Sequence, residues 1–206
     1  MDREDKCSPT EQNSKRSYTF VTPSFFPGDL SIGDWDPNKN GLKDAIQKAM
    51  DSHPNFNKLV RADTICQYFA KDNGLPGVYA AWLSAGEAHS VKSFLVGENV
   101  WADTNPRHFT LPDGTCVANS WDEWGSSNHL AAINQTPDGA PLNWFAWTGT
   151  NDDASHTKDH CNTWSSSSAT ETGRVGNTSF PASGWSNNHE VWCSTRLHLY
   201  CLQYAD

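Results

Sequence analysis

Six cysteines, Cys7, Cys66, Cys116, Cys161, Cys193 and Cys201, are spread over a chain of 206 residues, and no CxxC pair occurs among them. That spacing argues against a structural zinc knuckle or a thioredoxin-type centre, both of which use closely spaced cysteines. An even number of widely separated cysteines, in a chain rich in Ser, Thr, Asn, Gly and Trp, reads as a disulfide framework and hence as an oxidising compartment. Six buried thiols in a reducing compartment are the alternative. From spacing alone the pairing stays open.

Composition narrows the class. The length suits one domain that can bury its own core. Charged residues make up 19% and hydrophobic residues 36%, and there are 10 Trp. Aromatics run along the whole chain, which argues against disorder and for a loop-rich extracellular fold. The net charge is −9. The arginines are scattered, so a general surface for nucleic acid or heparin, which needs clustered Lys and Arg, is excluded. No run of 18 apolar residues is present to cross a membrane as a helix. No apolar stretch follows Met1–Lys6, so an exported chain would have lost its signal. Cys7 could lie near a lipid-anchor site of a precursor.

Periodicity gives the elements. Residues 1–16 are polar and read as a flexible arm. Ser17–Thr22 alternates and reads as a strand. Residues 23–41 are punctuated by Pro and Gly and read as a loop. Leu42, Ala45, Ile46 and Ala49 place a short helix over 42–52. Ala62, Ile65, Cys66, Phe69 and Ala70 mark a main helix, with Asn73-Gly74 as its stop signal. Val78–Leu83 and Trp144–Thr148 read as buried strands, and Trp192–Leu202 as one or two closing strands. The expected architecture is α+β, a single domain over 17–206 with irregular antiparallel β structure and an inserted loop at about 28–57.

A family resemblance then emerges. Arg61-Ala-Asp-Thr-Ile-Cys66, Gly74-Leu-Pro-Gly-Val-Tyr-Ala-Ala-Trp-Leu-Ser84, Cys161-Asn-Thr-Trp164, Gly173, Gly176, Trp185, Cys193 and Leu199-Tyr-Cys201 resemble, in order, the signature of endostatin-like domains. These are distant relatives of C-type-lectin-like domains and include leptospiral endostatin-like surface proteins. The resemblance implies nested disulfides, Cys66–Cys201 outside and Cys161–Cys193 inside. In the chain-entropy model these are worth roughly 4–5 and 3–4 kcal/mol. Cys7 and Cys116 lie outside that pattern, and their pairing to each other is the economical expectation. The resemblance also implies a secreted or surface-displayed module that is not an enzyme and binds host matrix or plasma proteins; a calcium-dependent carbohydrate-binding module and a structural domain of a surface assembly are the alternatives. Zinc and heparin binding do not carry over, because the first histidine is His53 and no arginine cluster is present.

Several residues are candidates for a site. Asp36-Pro-Asn-Lys-Asn-Gly-Leu-Lys-Asp44 reads D-x-N-x-N-G-x-x-D, so Asp36, Asn38, Asn40, Leu42 (through its carbonyl) and Asp44 could wrap a structural calcium ion. The bland alternative is an Asn/Gly turn ahead of a helix. Asp152 and Asp153 lie in an acidic loop with His156, Asp159 and His160. This loop, with Trp185, is a candidate for a calcium-dependent glycan site, with a solvated polar loop as the bland alternative; Trp121 and Trp124 are separate candidates for sugar stacking or protein contact. Trp121-Asp-Glu-Trp124 is the best candidate for exposed aromatics, whereas Trp82, Trp144, Trp147, Trp164 and Trp192 are expected in the core. No G-x-S-x-G elbow, HExxH or activated nucleophile points to catalysis.

Overall fold

The computed structural model describes residues 7–8, 14–34, 36–52, 57–93, 107–125 and 128–206. In chain order the elements are β1 (Lys15–Val21), α1 (Lys39–Ser52), α2 (Lys58–Asp72), β2 (Val78–Ala81), β3 (Arg107–Thr110), β4 (Cys116–Ala118), α3 (Trp121–Gly125), β5 (Phe145–Trp147), β6 (Thr172–Asn177), β7 (His189–Trp192) and β8 (His198–Ala205). The class is mixed α and β around a sheet of eight strands. Their order is β4-β3-β1-β8-β5-β6-β7, with β2 also pairing to β8. Most pairings are antiparallel, but β1–β3 and β5–β8 are parallel.

Alternation along β8 sets the layers. Leu199 and Cys201 enter one core, whereas Tyr200 and Leu202 enter another. Side chains alternate across a strand, so the two cores lie on opposite faces of the sheet. The same alternation places Phe20 and Trp147 in the first core and Val21 and Ala146 in the second. A strand buried on both faces carries a near-continuous apolar run, as β8 does.

The first core is roofed by the helices. α2 turns Ala62, Ile65, Cys66, Phe69 and Ala70 inward. Its start is fixed by Asn57, whose Oδ1 accepts from the N–H groups of Leu59 and Val60, a normal N-cap. Gly74, at φ 68°, follows its end. β2 would present an open edge, but two side chains one helical turn apart on α2 cover it. Tyr79 N donates to Gln67 Oε1 and Ala81 N to Asp63 Oδ1, at 2.9 and 2.8 Å. Edge donors satisfied in this way offer no template for another strand.

The second core is built from aromatics. Trp82, Trp124 and Trp185 have ring centroids 5.0–5.9 Å apart. Phe109, Trp121, His129 and Tyr200 surround them. Trp82 Nε1 donates to Ser186 Oγ and Tyr200 Oη to the Trp185 carbonyl, the partners such rings need when buried.

The disulfides are Cys7–Cys116, Cys66–Cys201 and Cys161–Cys193. The second encloses the third, while the first interlocks with the second. The sulfur of Cys7 is thereby occupied and cannot itself carry a lipid. Cys161 Sγ lies between Gly28 and Gly173; a Cβ on either glycine would come within 2.4 and 2.7 Å of that sulfur.

Three boundaries differ from the sequence reading. β1 starts at Lys15, inside the expected arm, because Lys15 and Arg16 pair with Arg107 and His108. α1 starts at Lys39, not Leu42, because Asn38 already receives the Leu42 N–H on its carbonyl. Residues 152–184, polar and rich in Ser, Thr and Gly with no strand pattern in the sequence, contain β6. Gly97-Glu98-Asn99, which reads as a turn signal, and Trp35 and Trp101, which read as loop tryptophans, lie outside the described residues.

Burying Trp185 at the centre of the aromatic core has a measurable consequence. Trp185→Ala is expected to cost about 3–5 kcal/mol. Trp192→Ala, at a position 54% exposed on β7, should stay within about 0.5 kcal/mol. Urea denaturation with the disulfides intact measures both.

Candidate functional site

The residues expected to contact a ligand do not come together at the surface. Trp121, Trp124 and Trp185 are buried in the second core. Trp121 and Trp124 stand three apart on α3, so both fall on its inner face. The acidic loop is occupied with its own turn. Asp153 Oδ1 accepts from Ser155 N and Oγ, and these hydrogen bonds hold its carboxyl below the usual range. Asp152 Oδ1 receives Asn187 N at 3.3 Å. Asp159 pairs with Arg174 at 3.0 Å. His160 Nδ1 accepts from Thr163 N.

The calcium motif is likewise divided. Asp36 is 3% exposed, and its Oδ1 accepts from Ser24 Oγ and Asn38 N. Its Oδ2 is buried without a hydrogen-bond partner among the described residues. Because α1 begins at Lys39, Asn40 and Asp44 are exposed on the helix while the Leu42 side chain enters the first core. One orphan oxygen falls well short of the six to eight that calcium takes, and the five residues as placed do not fit a calcium cage. No group of three His, Cys, Asp or Glu gathers among the described residues.

Two features missed in the sequence reading stand in their place. The first is an apolar patch. Leu130, Trp144 and Phe180 are 59, 58 and 43% exposed. Their segments are tied together: Thr178 N donates to the Trp144 carbonyl and His129 N to the Pro181 carbonyl. Ser179 Oγ reaches Asn143 Oδ1. Trp144 was expected in a core strand, but β5 begins one residue later and leaves the indole outside. A signal was present: residues 128–137, 139–151 and 175–189 contain no Asp, Glu, Lys or Arg.

The second is a cavity of about 410 Å³ at the start of α2, where Lys58, Arg61 and His89 face Thr163 and Ser165. Met50, Leu59 and Ala85 supply apolar wall. Burial, then the Arg61 charge, lower the Lys58 ammonium, with Asp29 opposing. Burial lowers Arg61 too. The far rim is strained. Cys161, Asn162, Thr163 and Trp164 all have positive φ, 48–58°, a left-handed turn that costs roughly 1–2 kcal/mol per residue. Its surroundings over-determine it: the Cys161–Cys193 bond, the Trp164 Nε1 hydrogen bond to the Ser84 carbonyl at 2.8 Å, and Trp147 at 5.7 Å.

Two titrating groups shifted by desolvation, half-buried Asp63 and buried His129, lie near these features. Asp63, on α2, is raised to about 7 by desolvation, against the Ala81 hydrogen bond. His129 is lowered to about 4 by burial, against its bond to the Trp124 carbonyl. Among known proteins the chain matches no family model and no curated protein, so these features are read from their own chemistry.

Two outcomes follow. The folded state binds the Asp63 proton more tightly than the unfolded chain does. Its contribution to stability is therefore complete below about pH 4 and is lost as pH rises through about 7. The folded state binds a His129 proton less tightly, so its contribution is complete above about pH 6.5 and is lost as pH falls towards 4. Asp63→Asn, which keeps an acceptor for Ala81, should remove the loss at rising pH and leave the loss at falling pH, as read by urea midpoints from pH 4 to 8. Asp36→Ala should cost roughly 1–3 kcal/mol through Ser24 and Asn38, equally in calcium and in EDTA. A melting temperature that drops in EDTA for the parent alone would instead assign Asp36 to a metal.

Proposed function

We propose that this chain is an exported, non-enzymatic binding module of the endostatin/C-type-lectin-like kind, adhesin-like, engaging host extracellular-matrix or plasma proteins. The bonds Cys66–Cys201 and Cys161–Cys193 support the resemblance, and three disulfides support an oxidising compartment. None of the described helices is long and apolar enough to cross a membrane.

The observation that carries the binding role is the patch of Leu130, Trp144 and Phe180. Exposed large apolar side chains grouped on one surface are the usual mark of a contact site. Aromatic anchors dominate binding energy, and the buried centre of a contact surface is depleted of charge. The segments that build this patch carry no Asp, Glu, Lys or Arg. A glycan is the second reading, favoured by one detail: Asn143, next to Trp144 in the chain, accepts a hydrogen bond from Ser179 Oγ, and amide, hydroxyl and ring together suit a sugar face.

Surface plasmon resonance against fibronectin, laminin and factor H tests the first reading. Trp144→Ala and Phe180→Ala should each weaken binding at least about tenfold, with little dependence on salt. Binding that survives both substitutions would remove the patch from the interface. A glycan-array signal abolished by Trp144→Ala, with no protein bound, would establish the second reading.

A further inference from the structure

We infer that the cavity at the start of α2 is a receptor for a carboxylate carried on an apolar body, the chemistry of an acidic peptide segment with a neighbouring aliphatic side chain. Lys58 and Arg61 line the same open cavity in a chain of net charge −9. Two like charges share a partly desolvated site, and each disfavours the other. Asp29 offsets part of this: its charge favours the protonated forms of both Lys58 and Arg61, but burial outweighs it at each; its contact with Lys58 is through the backbone carbonyl, at 3.2 Å, and its Oδ1 receives Ser31 N. Arg61 Nε is buried without a hydrogen-bond partner among the described residues. A guanidinium presents a planar fork that matches a carboxylate.

The helix terminus itself is not the seat of the anion, because Asn57 already satisfies the first N–H groups. The charged side chains are. Met50, Leu59 and Ala85 give the cavity apolar wall, which favours an organic body over a hydrated inorganic ion. The strained turn at 161–164 adds a fixed far edge. Its cost is the kind of backbone strain that recurs at ligand sites. This cavity shares no residue with the Leu130–Trp144–Phe180 patch, and the inference stands whether or not that patch binds.

The test is a titration of the intact, disulfide-bonded, 15N-labelled chain with N-acetyl-leucine, followed by amide chemical shifts. N-acetyl-leucinamide and sodium sulfate serve as controls. Saturable shifts centred on residues 58–61 and 163–165 are expected with N-acetyl-leucine and none with the neutral amide. Lys58→Gln and Arg61→Gln should each raise Kd at least about tenfold. Lys58 stands in the first turn of α2, where a positive charge opposes the helix dipole, so Lys58→Gln keeps the fold and decides the matter alone if Arg61→Gln does not fold. An equal response to the amide, a response to sulfate as strong as to the acid, or unchanged binding by Lys58→Gln would each overturn the assignment.

Discussion

β8 is held on four sides, and the rest of the fold depends on that. β1 pairs along one edge, β5 and β2 share the other, and the two cores press on its faces. Cys201 then adds a covalent tie to α2 through Cys66. Each tie constrains a different direction. The edge pairings fix register, the faces fix which side chains point where, and the cystine fixes α2 against the sheet. A one-residue slip of β8 would exchange the occupants of both cores at once, so the strand has one workable position.

Charge is partitioned over this frame. The chain is acidic overall, but the segments around the Leu130–Trp144–Phe180 patch carry no formal charge, and the cavity beside α2 concentrates positive charge. Such separation keeps the two features chemically distinct. Contact at the patch is governed by apolar area and ring geometry, and contact at the cavity by Coulombic matching. Net charge therefore describes neither. The strained turn at 161–164 links the cavity to the inner cystine, which shares its packing with Gly28 and Gly173.

Much of the frame was legible in the sequence, because it rests on local rules. The 3.6-residue period of α2, its Asn73-Gly74 stop and the apolar run of β8 are visible without a structure. The tryptophans were harder, since an indole has the same composition inside or out and only its direction differs. Trp121 and Trp124 read as an exposed loop pair, yet their spacing of three is helical, and a single turn of α3 carries both inward. Trp192 read as core because its strand belongs to the signature, but β7 ends the sheet and turns that residue outward. Trp144 sits one residue ahead of β5. The calcium motif had the right residue types at the right spacing, but α1 begins at Lys39, within the motif, and sets Asn40 and Asp44 outward on the helix. Cation pairs such as Lys58 and Arg61 form no pattern until Thr163 and Ser165 close the cavity from a hundred residues away.

The placement of β8 after every other element has a consequence for biogenesis. During synthesis, β1, α2, β2 and β5 all emerge before the strand that unites them, and Cys66 waits 135 positions for Cys201. Neither core can close in the meantime, so apolar faces of α1, α2 and the aromatic segments are presented together and unpaired. Such a chain gains from being held until β8 arrives. The covering of one β2 edge by Asp63 and Gln67 is well suited to that interval: it is made within residues 63–81, and it leaves only the edge that β8 will pair.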